Sequence, residues 1–298
     1  MKKTDLPSSL VIFDGPTNIK AILRSSIIPW KRLDMLGDPF QPGLAVELPF
    51  TRGELLEACI KEAIAMIFGL THPQGLRQHN IQKAIKRWRQ EDRFDNEDEA
   101  RSALHELLLP LIEQHFEQLA ILMESWQEYA DKTRLLRLFQ NHTALSLWEN
   151  FTNHHRGAAL RFRCDDDTTI ASAQPVRYAS QPKMLIEMKQ EVDLLLGNDE
   201  ITRDNLQDFL MTRNRELKNE KEWRSFKQAD TSEITQQLIK TPFEASELST
   251  IYLGACMTES DHQLILELVK THYPHTKVYK AKPKSRHFEL SFIELDNE

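Results

Sequence analysis

The chain has 298 residues, a formal net charge of -7 and 40% hydrophobic residues, which is typical of a globular protein rather than of a disordered one. The negative charge argues against a protein that coats nucleic acid, although it is compatible with a local basic site. No apolar run approaches the ~20 residues of a membrane-spanning helix, and the N-terminal segment lacks the apolar core of a signal peptide. Three scattered cysteines fit neither a disulfide framework nor a Cys-x-x-Cys metal site. We therefore expect a cytoplasmic protein without a membrane contact.

The first predicted elements are a strand, a helix and a second extended segment. SLVIFDGPTNIKAILRSSIIPW gives the strand, then a Gly-Pro turn, a short helix and another extended piece. The next stretch, MLGDPFQPG, is rich in Pro and Gly and is expected to be irregular. Thr51 then begins a helix, because Glu54 follows at the spacing of a capping box and an apolar stripe at helical spacing continues to Gly69.

Residues 51–130 are predicted to form a helical insertion within a single α+β domain that spans 1–298. Two further helices account for residues 80–130, and Pro110 is expected to kink or divide the second of them. The first of the two carries basic residues around Trp88, namely Lys83, Lys86, Arg87, Arg89 and Arg93. Basic residues with an interleaved aromatic could follow a phosphate backbone and stack a base. Because Trp88 falls on the apolar stripe, the alternative is an ordinary solvated face of an amphipathic helix.

Beyond residue 130 the pattern changes to strands with a few helices. Apolar alternation and turn residues predict strands in LLRLF, GAALRFRC, PVRYAS, EWRSFKQ, STIYLG, TKVYKAK and HFELSFIEL. Helices are predicted in TALSLWENFTNHH, over 182–218 and over 258–272, the last of them capped by Thr258. The predicted fold class is therefore α+β, with a mixed or mostly antiparallel sheet, flanking helices and a helical insertion.

One short stretch, RELKNEKEWRSF, places two carboxylates where a predicted helix meets a predicted strand. Glu220 and Glu222 lie two residues apart, and on an extended backbone such residues share a face. Two neighbouring carboxylates repel, which raises the pKa of one toward the useful acid/base range unless a cation intervenes. Arg224, the next residue in the alternation, could be that cation. The structural alternative is a salt-bridged strand edge without a catalytic function.

Metal-dependent chemistry has weaker support in the sequence. Glu216 and Lys218, with Asp204 or Asp208 upstream, fit the loose pattern of a nuclease that holds a divalent ion and orients a water. The same residues lie in a strongly helical stretch, and so loose a motif recurs by chance. None of the 11 histidines shows the His-x-x-x-His or His-x-Glu spacing of a zinc site, so no metal site is predicted.

Four separated stretches, taken in order, carry a family resemblance. The residues concerned are Asp38, Pro39 and Phe40 in LDMLGDPF, Trp148, Phe151, His155, Arg156 and Gly157 in LWENFTNHHRG, Val176 and Tyr178 in PVRYAS, and Glu220, Glu222 and Arg224 in KNEKEWR. In order and spacing they resemble a bacterial domain-of-unknown-function family, number 2971. The resemblance covers the chain from Leu10 to Leu295 and is least constrained over 51–130. It implies that the polar members converge in one cleft.

The Glu-x-Glu element is also similar to the carboxylate pair of ADP-ribosyltransferases, in which one Glu steadies the nicotinamide ribose of NAD and the other activates an acceptor. Lys31 stands where the resembling family often has Ser. The resemblance implies that the catalytic residues are Glu220, Glu222 and His155. It implies that the substrate, with NAD as the candidate, is bound by Asp38, Trp148, Arg156, Tyr178 and Arg224.

Three functions follow as hypotheses. The first is a bacterial effector or defence-type enzyme that acts on a nucleotide such as NAD, or on nucleic acid, with phosphate held by Arg156, Arg224 and His155. The second is a non-catalytic binding module, in which the polar cluster fixes the sheet and the insertion 51–130 recruits a partner protein. The third is the metal-dependent nuclease. The sequence alone names neither a substrate nor an oligomeric state.

Overall fold

The computed structural model describes residues 6–37, 40, 48–71, 80–181, 184–197 and 206–295, without the side chains of residues 206, 208 and 231. The chain divides into two compact units. Unit 1 comprises Met1–Gln41, Asp131–Pro182 and Met211–Glu298, and unit 2 comprises Pro42–Ala130 and Lys183–Leu210. Unit 2 therefore contains the predicted insertion together with a later segment of the chain.

The described chain contains eight α-helices and twelve strands. In chain order they are β1 (Ser9–Asp14), α1 (Pro16–Ser25), β2 (Ile27–Arg32), α2 (Arg52–Ile67), α3 (Asn80–Gln90), α4 (Glu97–Lys132), β3 (Thr133–Phe139), α5 (Leu145–Phe151), β4 (Ala158–Arg163), β5 (Gln174–Pro175), β6 (Arg177–Ala179), α6 (Met188–Leu195), α7 (Leu206–Leu210), β7 (Thr212–Asn214), β8 (Glu222–Gln228), β9 (Leu238–Pro242), β10 (Leu248–Leu253), α8 (Glu259–His272), β11 (Lys277–Pro283) and β12 (Leu290–Leu295). Short 3-10 helices occupy Leu33–Leu36, Arg215–Glu220, Thr231–Glu233 and Ala245–Glu247.

Ten of the described strands form one sheet. Its order is β12-β11-β10-β4-β1-β3-β2-β9, while β8 pairs with β3 and β5 pairs with β8. β10 and β11 run parallel, whereas the other described ladders of this sheet are antiparallel. A short parallel pair, β6 and β7, forms a second sheet. A mixed, mostly antiparallel sheet with flanking helices confirms the predicted α+β class.

Apolar side chains of unit 1 are divided between two layers, because successive residues of a strand point to opposite faces of the sheet. On one face Ile12 of β1 belongs to a core that includes Ile22 of α1 and Ile265 of α8. On the other face Phe13 belongs to a core that includes Trp148 of α5. The sheet is therefore covered by α1 and α8 on one side and by α5 on the other.

β1 and β2 share one edge of β3 and diverge along it. β8 pairs with β3 along the full length of β3, from Thr133 to Phe139, and so occupies one of its two edges. β1 and β2 therefore both pair with the other edge. β1 meets that edge at Phe139, whereas β2 meets it at Arg134 and Leu135. The sheet is therefore split beside Arg137, between the two points of contact.

The described part of unit 2 is helical. α2 begins at the predicted capping box, in which Thr51 Oγ1 accepts from the backbone N–H of Glu54 and the Glu54 carboxylate accepts from the backbone N–H of Thr51. α4 runs through Pro110 as one helix of 36 residues, so this proline does not divide it. A buried hydrogen bond of 2.6 Å between His115 Nε2 and Glu191 Oε2 joins α4 to α6. None of the described helices in either unit is long and apolar enough to cross a membrane.

Two parts of the secondary-structure prediction are wrong. The stretch 182–218 is not one helix, since its described residues form α6, α7, β7 and part of a 3-10 helix. Gly197, left-handed at φ 74°, ends α6, and pairing with β6 holds 212–214 extended. The prediction also lacks β9, a short strand with Lys240 and Pro242 that forms through its pairing with β2 rather than through apolar alternation. The other predicted elements are confirmed with shifted ends, and PVRYAS divides into β5 and β6.

Candidate functional site

A cavity of about 270 Å³ lies where β1 and β2 diverge. Phenylalanine rings and aliphatic side chains form most of its wall, and its polar residues are Asp14, Lys31, Arg137 and Asn150. We call this cavity the split-sheet cleft. A cavity that combines aromatic and aliphatic side chains with a few convergent polar groups is a common form of small-molecule site. Its volume lies just below the ~300–1,000 Å³ of such sites, which suits one ring system and a polar group rather than a whole dinucleotide.

Asp14 and Lys31 form an ion pair near the carboxyl ends of β1 and β2. Lys31 Nζ donates to Asp14 Oδ2 at 3.0 Å, and Oδ1 accepts from the Gly15 N–H and from Asn18 Nδ2, both at 2.8 Å. Both strands run antiparallel to β3 and hence parallel to each other, which explains why these two ends meet. The side chains of Lys31 and Asp14 are 33% and 15% exposed, so a ligand in the cleft can reach both.

Arg137 is a second cation of the split-sheet cleft. Its Nε and Nη2 donate to the two carboxylate oxygens of Glu222 at 3.0 and 2.9 Å, and its guanidinium carbon lies 4.6 Å from the centroid of the Phe151 ring. Strand register explains the contact, because Arg137 lies opposite Arg224 and Phe139 lies opposite Glu222. Nη1 has no hydrogen-bond partner among the described residues, so one edge of this guanidinium can bind a ligand.

Glu222 is held by three guanidinium groups. Besides Arg137, Nε of Arg224 lies 2.7 Å from its Oε1 and Nε of Arg213 lies 3.1 Å from its Oε2. Its backbone N–H donates to the hydroxyl oxygen of Tyr178 at 2.7 Å. Burial opposes ionisation of Glu222, but Arg224, Arg137 and Arg213 together outweigh it and hold the pKa of Glu222 at about 2. Glu222 is therefore a permanent anion, which suits the positioning of arginines better than proton transfer.

Glu220 differs from Glu222 although only Lys221 separates them. Its Oε1 accepts from Ser146 Oγ of α5 at 2.9 Å, and its Oε2 is buried without a hydrogen-bond partner among the described residues. Burial, more than repulsion by Glu222, raises the pKa of Glu220. Glu220 ends a 3-10 helix and Lys221 is left-handed at φ 51°, so Glu220 and Glu222 do not lie on one extended strand. The prediction that the two carboxylates share a strand face is therefore wrong. Glu222 is thus a permanent anion, whereas the carboxyl group of Glu220 takes up a proton more readily than usual.

His155 and Trp148 form a separate group on α5 and the turn that follows it. Their rings are stacked, with centroids 6.3 Å apart and an interplanar angle of 7°. Trp148 is fully buried, so its side chain has no surface for a substrate. His155 Nε2 lies 3.4 Å from Glu149, and its Nδ1 has no hydrogen-bond partner in the described chain. No hydrogen bond or ion pair among the described residues connects His155 with Glu220 or Glu222.

Close backbone packing ties this turn to the end of β1. Residues 153–155 are all left-handed, with φ between 51° and 63°, a conformation that non-glycine residues rarely adopt in succession. A Cβ on Gly157 would lie 2.1 Å from the carbonyl oxygen of Asp14, so only glycine fits there. The His-Arg-Gly element thus contacts the Asp14 corner through its backbone, while the side chain of Arg156 is exposed.

The structure brings some of the predicted site residues together and leaves others apart. Those that share one cluster are Glu220, Glu222, Tyr178 and Arg224. Asp38 and Asp204 lie outside the described residues, as does the side chain of Asp208. Glu216 and Lys218 of the nuclease hypothesis are exposed on the 3-10 helix before β8. In the part of the chain that the structure describes, no group of three or more His, Cys, Asp or Glu side chains could hold a metal ion.

Asp14, Lys31 and Arg137 were not predicted as site residues. They belong to three strands that are distant in sequence and meet only through pairing. Two local features could have drawn attention to them. Asp14 ends an apolar strand directly before a turn and a helix, a position at which open α/β sheets often place ligands. Arg137 interrupts the apolar strand LLRLF, and a buried cation requires a partner.

Comparison of the chain with protein-family models, with curated proteins and with solved structures gives no match. The resemblance to family 2971 and to ADP-ribosyltransferases therefore stays a prediction. Function must be inferred from the residues of the site.

Proposed function

We propose that the split-sheet cleft binds a nucleotide and that the protein is an enzyme acting on this ligand. One observation carries the proposal: Arg137 presents a free guanidinium edge beside the ring of Phe151. A guanidinium matches a phosphate group through charge-assisted hydrogen bonds, and an aromatic wall accepts the face of a base or a nicotinamide ring. The two groups together suit a ligand with a flat ring and an anion close to each other.

The charged residues that line the cleft favour an anionic ligand. Among the described lining residues there are two cations, Lys31 and Arg137, and one carboxylate, Asp14. The side chain of Arg137 is only 10% exposed, so its attraction for a phosphate is screened less than it would be in water.

The size of the cleft and its ion pair favour one nucleoside unit of the ligand. A cavity of about 270 Å³ would hold one half of a dinucleotide such as NAD and leave the other half outside. Asp14 is oriented by Lys31, Gly15 and Asn18, and an acceptor of this kind suits the hydroxyl groups of a ribose.

Within this proposal the two glutamates have different roles. Glu222 is a positioning residue that holds Arg137, since both of its oxygens are occupied. Glu220 is the candidate acid/base group, because its pKa is raised and its Oε2 is unpartnered among the described residues. Its contact Ser146 lies one helical turn before Asn150 of the cleft on α5, which connects Glu220 to the cleft wall.

Calorimetric titration with AMP, NAD and adenosine tests the binding step. Lys31→Met is expected to weaken AMP binding about tenfold or more, the effect of one lost charge-assisted hydrogen bond. Lys20→Met is the matched control, because Lys20 pairs with Asp261 at a similar exposure of 22% and does not line the cleft. Unchanged AMP affinity in Lys31→Met, or an equal loss in both variants, would contradict the proposal.

A second function, non-catalytic binding, is favoured by a different observation. Asp14 is the one carboxylate lining the described cleft, and both of its oxygens already accept hydrogen bonds. Chromatography of NAD and other nucleotides after incubation with the protein separates the two functions. The enzyme proposal expects product from the wild type and none from Glu220→Gln, with nucleotide affinity retained in both. Tight binding without product from the wild type would support the binding module instead.

A further inference from the structure

A stretch of unit 2 has a charge opposite to that of the chain as a whole. The chain contains 45 acidic residues among 298, yet no Asp or Glu occurs between Glu62 and Glu91. The C-terminal part of this stretch is α3, which carries Lys83, Lys86, Arg87 and Arg89. Such a local reversal of charge in an acidic protein is typical of a surface that meets an anionic partner.

The basic side chains of α3 are exposed and mostly unneutralised. Lys83, Lys86 and Arg87 lie three and four residues apart, so they share one helix face. All three are exposed. Lys83 and Lys86 have no hydrogen bond or ion pair with any described residue. Arg87 remains 74% exposed although it pairs with Glu91, and Arg93 is exposed just beyond the helix. Lys83, Lys86 and Arg87 form the basic face of α3.

We propose that the basic face of α3 binds the phosphate backbone of a nucleic acid. Lys and Arg that neutralise successive phosphates provide most of the affinity of sequence-independent binding, and they need no apolar contact. Trp88 is half-buried and packs against Phe94, with ring centroids 5.3 Å apart. The stacking of a base on Trp88 that the sequence pattern allows is therefore not part of the proposal.

The lack of apolar groups on this face argues against other anionic partners. Ile81 and Ile85 of α3 are buried, and Ala84 and Trp88 are half-buried, whereas a helix that lies on a membrane needs its apolar face free. Among described residues 80–93 no large hydrophobic side chain is exposed, whereas a protein interface has apolar or aromatic anchors at its centre. Among these anionic partners, a phosphate backbone is the one that can bind a basic surface without exposed apolar side chains.

Fluorescence anisotropy with a labelled single-stranded RNA of 20 nucleotides, measured at several salt concentrations, tests this surface. The variant K83Q/K86Q/R87Q is expected to bind the RNA more weakly at low salt, by about tenfold or more. The slope of log affinity against log salt concentration should be less steep by about 2 for this variant, because each lost phosphate contact reduces the slope by about 0.7. The matched control K61Q/R101Q/K189Q removes the same charge from exposed positions of unit 2 and should change the salt slope little. The single variants K83Q and K86Q, each shallower by about 0.7, serve if the triple variant loses its circular dichroism spectrum.

Three results would overturn the proposal. The first is no RNA binding by the wild-type protein at low salt. The second is an equal loss of RNA binding in the control variant. The third is that polyglutamate or anionic phospholipid vesicles bind as tightly as the RNA, with the same dependence on Lys83 and Lys86, which would point to an acidic protein or to a membrane. The test does not involve the split-sheet cleft, which belongs to unit 1.

Discussion

Glu222 and Arg137 lie on neighbouring antiparallel strands and share two hydrogen bonds, at 3.0 and 2.9 Å. The carboxylate holds Nε and Nη2 of the guanidinium, while Nη1 has no partner in the described chain. Arg224 and Arg213 contact the same two oxygens, at 2.7 and 3.1 Å. The position of Arg137 in the cleft therefore depends on a buried anion that contacts three cations.

Glu222→Gln is expected to lower the free energy of unfolding by about 3–5 kcal/mol, because it leaves buried cations without their anion. Urea denaturation at pH 7 measures this loss. The pKa of Glu222 is depressed, so its stabilisation is present above the usual carboxylate pKa of about 4.3 and is lost as pH falls through about 2. The difference in the free energy of unfolding between wild type and Glu222→Gln should therefore decrease as the pH falls from about 4.3 to about 2. Glu216→Gln, an exposed control, should change stability by no more than about 0.5 kcal/mol, and an effect of this size in Glu222→Gln would contradict the prediction.

Glu220→Gln is expected to have the opposite pH dependence. The folded pKa of Glu220 is raised, so the stability it contributes is full below about 4.3 and is lost as pH rises through the folded pKa. Glutamine has no proton to lose. The melting temperature of Glu220→Gln, relative to that of the wild type, should therefore rise between about pH 4 and pH 8.

Glu247→Gln is the matched control for this measurement. Glu247 is also buried, but its two oxygens accept hydrogen bonds from Thr169 and from the backbone N–H of Glu244. This variant should be less stable than the wild type throughout the pH range, because it removes an acceptor from satisfied donors. If the difference between Glu220→Gln and the wild type stays constant with pH, Glu220 does not bind a proton in the folded state as inferred.

The sequence predicts the surroundings of Glu222 only in part. Arg224 was predicted as its cation because the two residues are neighbours in the alternation of one strand, and the structure shows that contact at 2.7 Å. Arg137 and Arg213 come from β3 and β7, and no local pattern links them to β8. The α+β class was predictable for the converse reason, since apolar periodicity and caps such as Thr258 are properties of short segments.

Gly157→Ala is expected to destabilise the protein by about 1–3 kcal/mol or more, as overpacking does. The new methyl carbon would lie 2.1 Å from the carbonyl oxygen of Asp14 and 2.9 Å from Gly15 Cα, and pairing of Asp14 with Ala158 restrains both strands. Thermal denaturation measures the loss. Gly53→Ala is the control, because a Cβ there meets no atom within 4 Å and alanine favours a helix by about 1 kcal/mol. Equal melting temperatures of the two variants would show that the 153–157 turn yields to the methyl group.

Arg137→Lys is expected to weaken AMP binding about tenfold or more, by the loss of a charge-assisted hydrogen bond, and to leave adenosine binding unchanged. Lysine keeps the charge but lacks the planar fork, so it cannot bind both oxygens of Glu222 and still present a donor to the cleft. AMP and adenosine share base and ribose, so the ratio of their affinities in calorimetry reports on the phosphate and is insensitive to a general loosening of the fold. Arg163→Lys, exposed beside Asp165 on β4, should leave both affinities unchanged. An equal loss for AMP and adenosine in Arg137→Lys would show that Arg137 maintains the sheet and does not bind the phosphate.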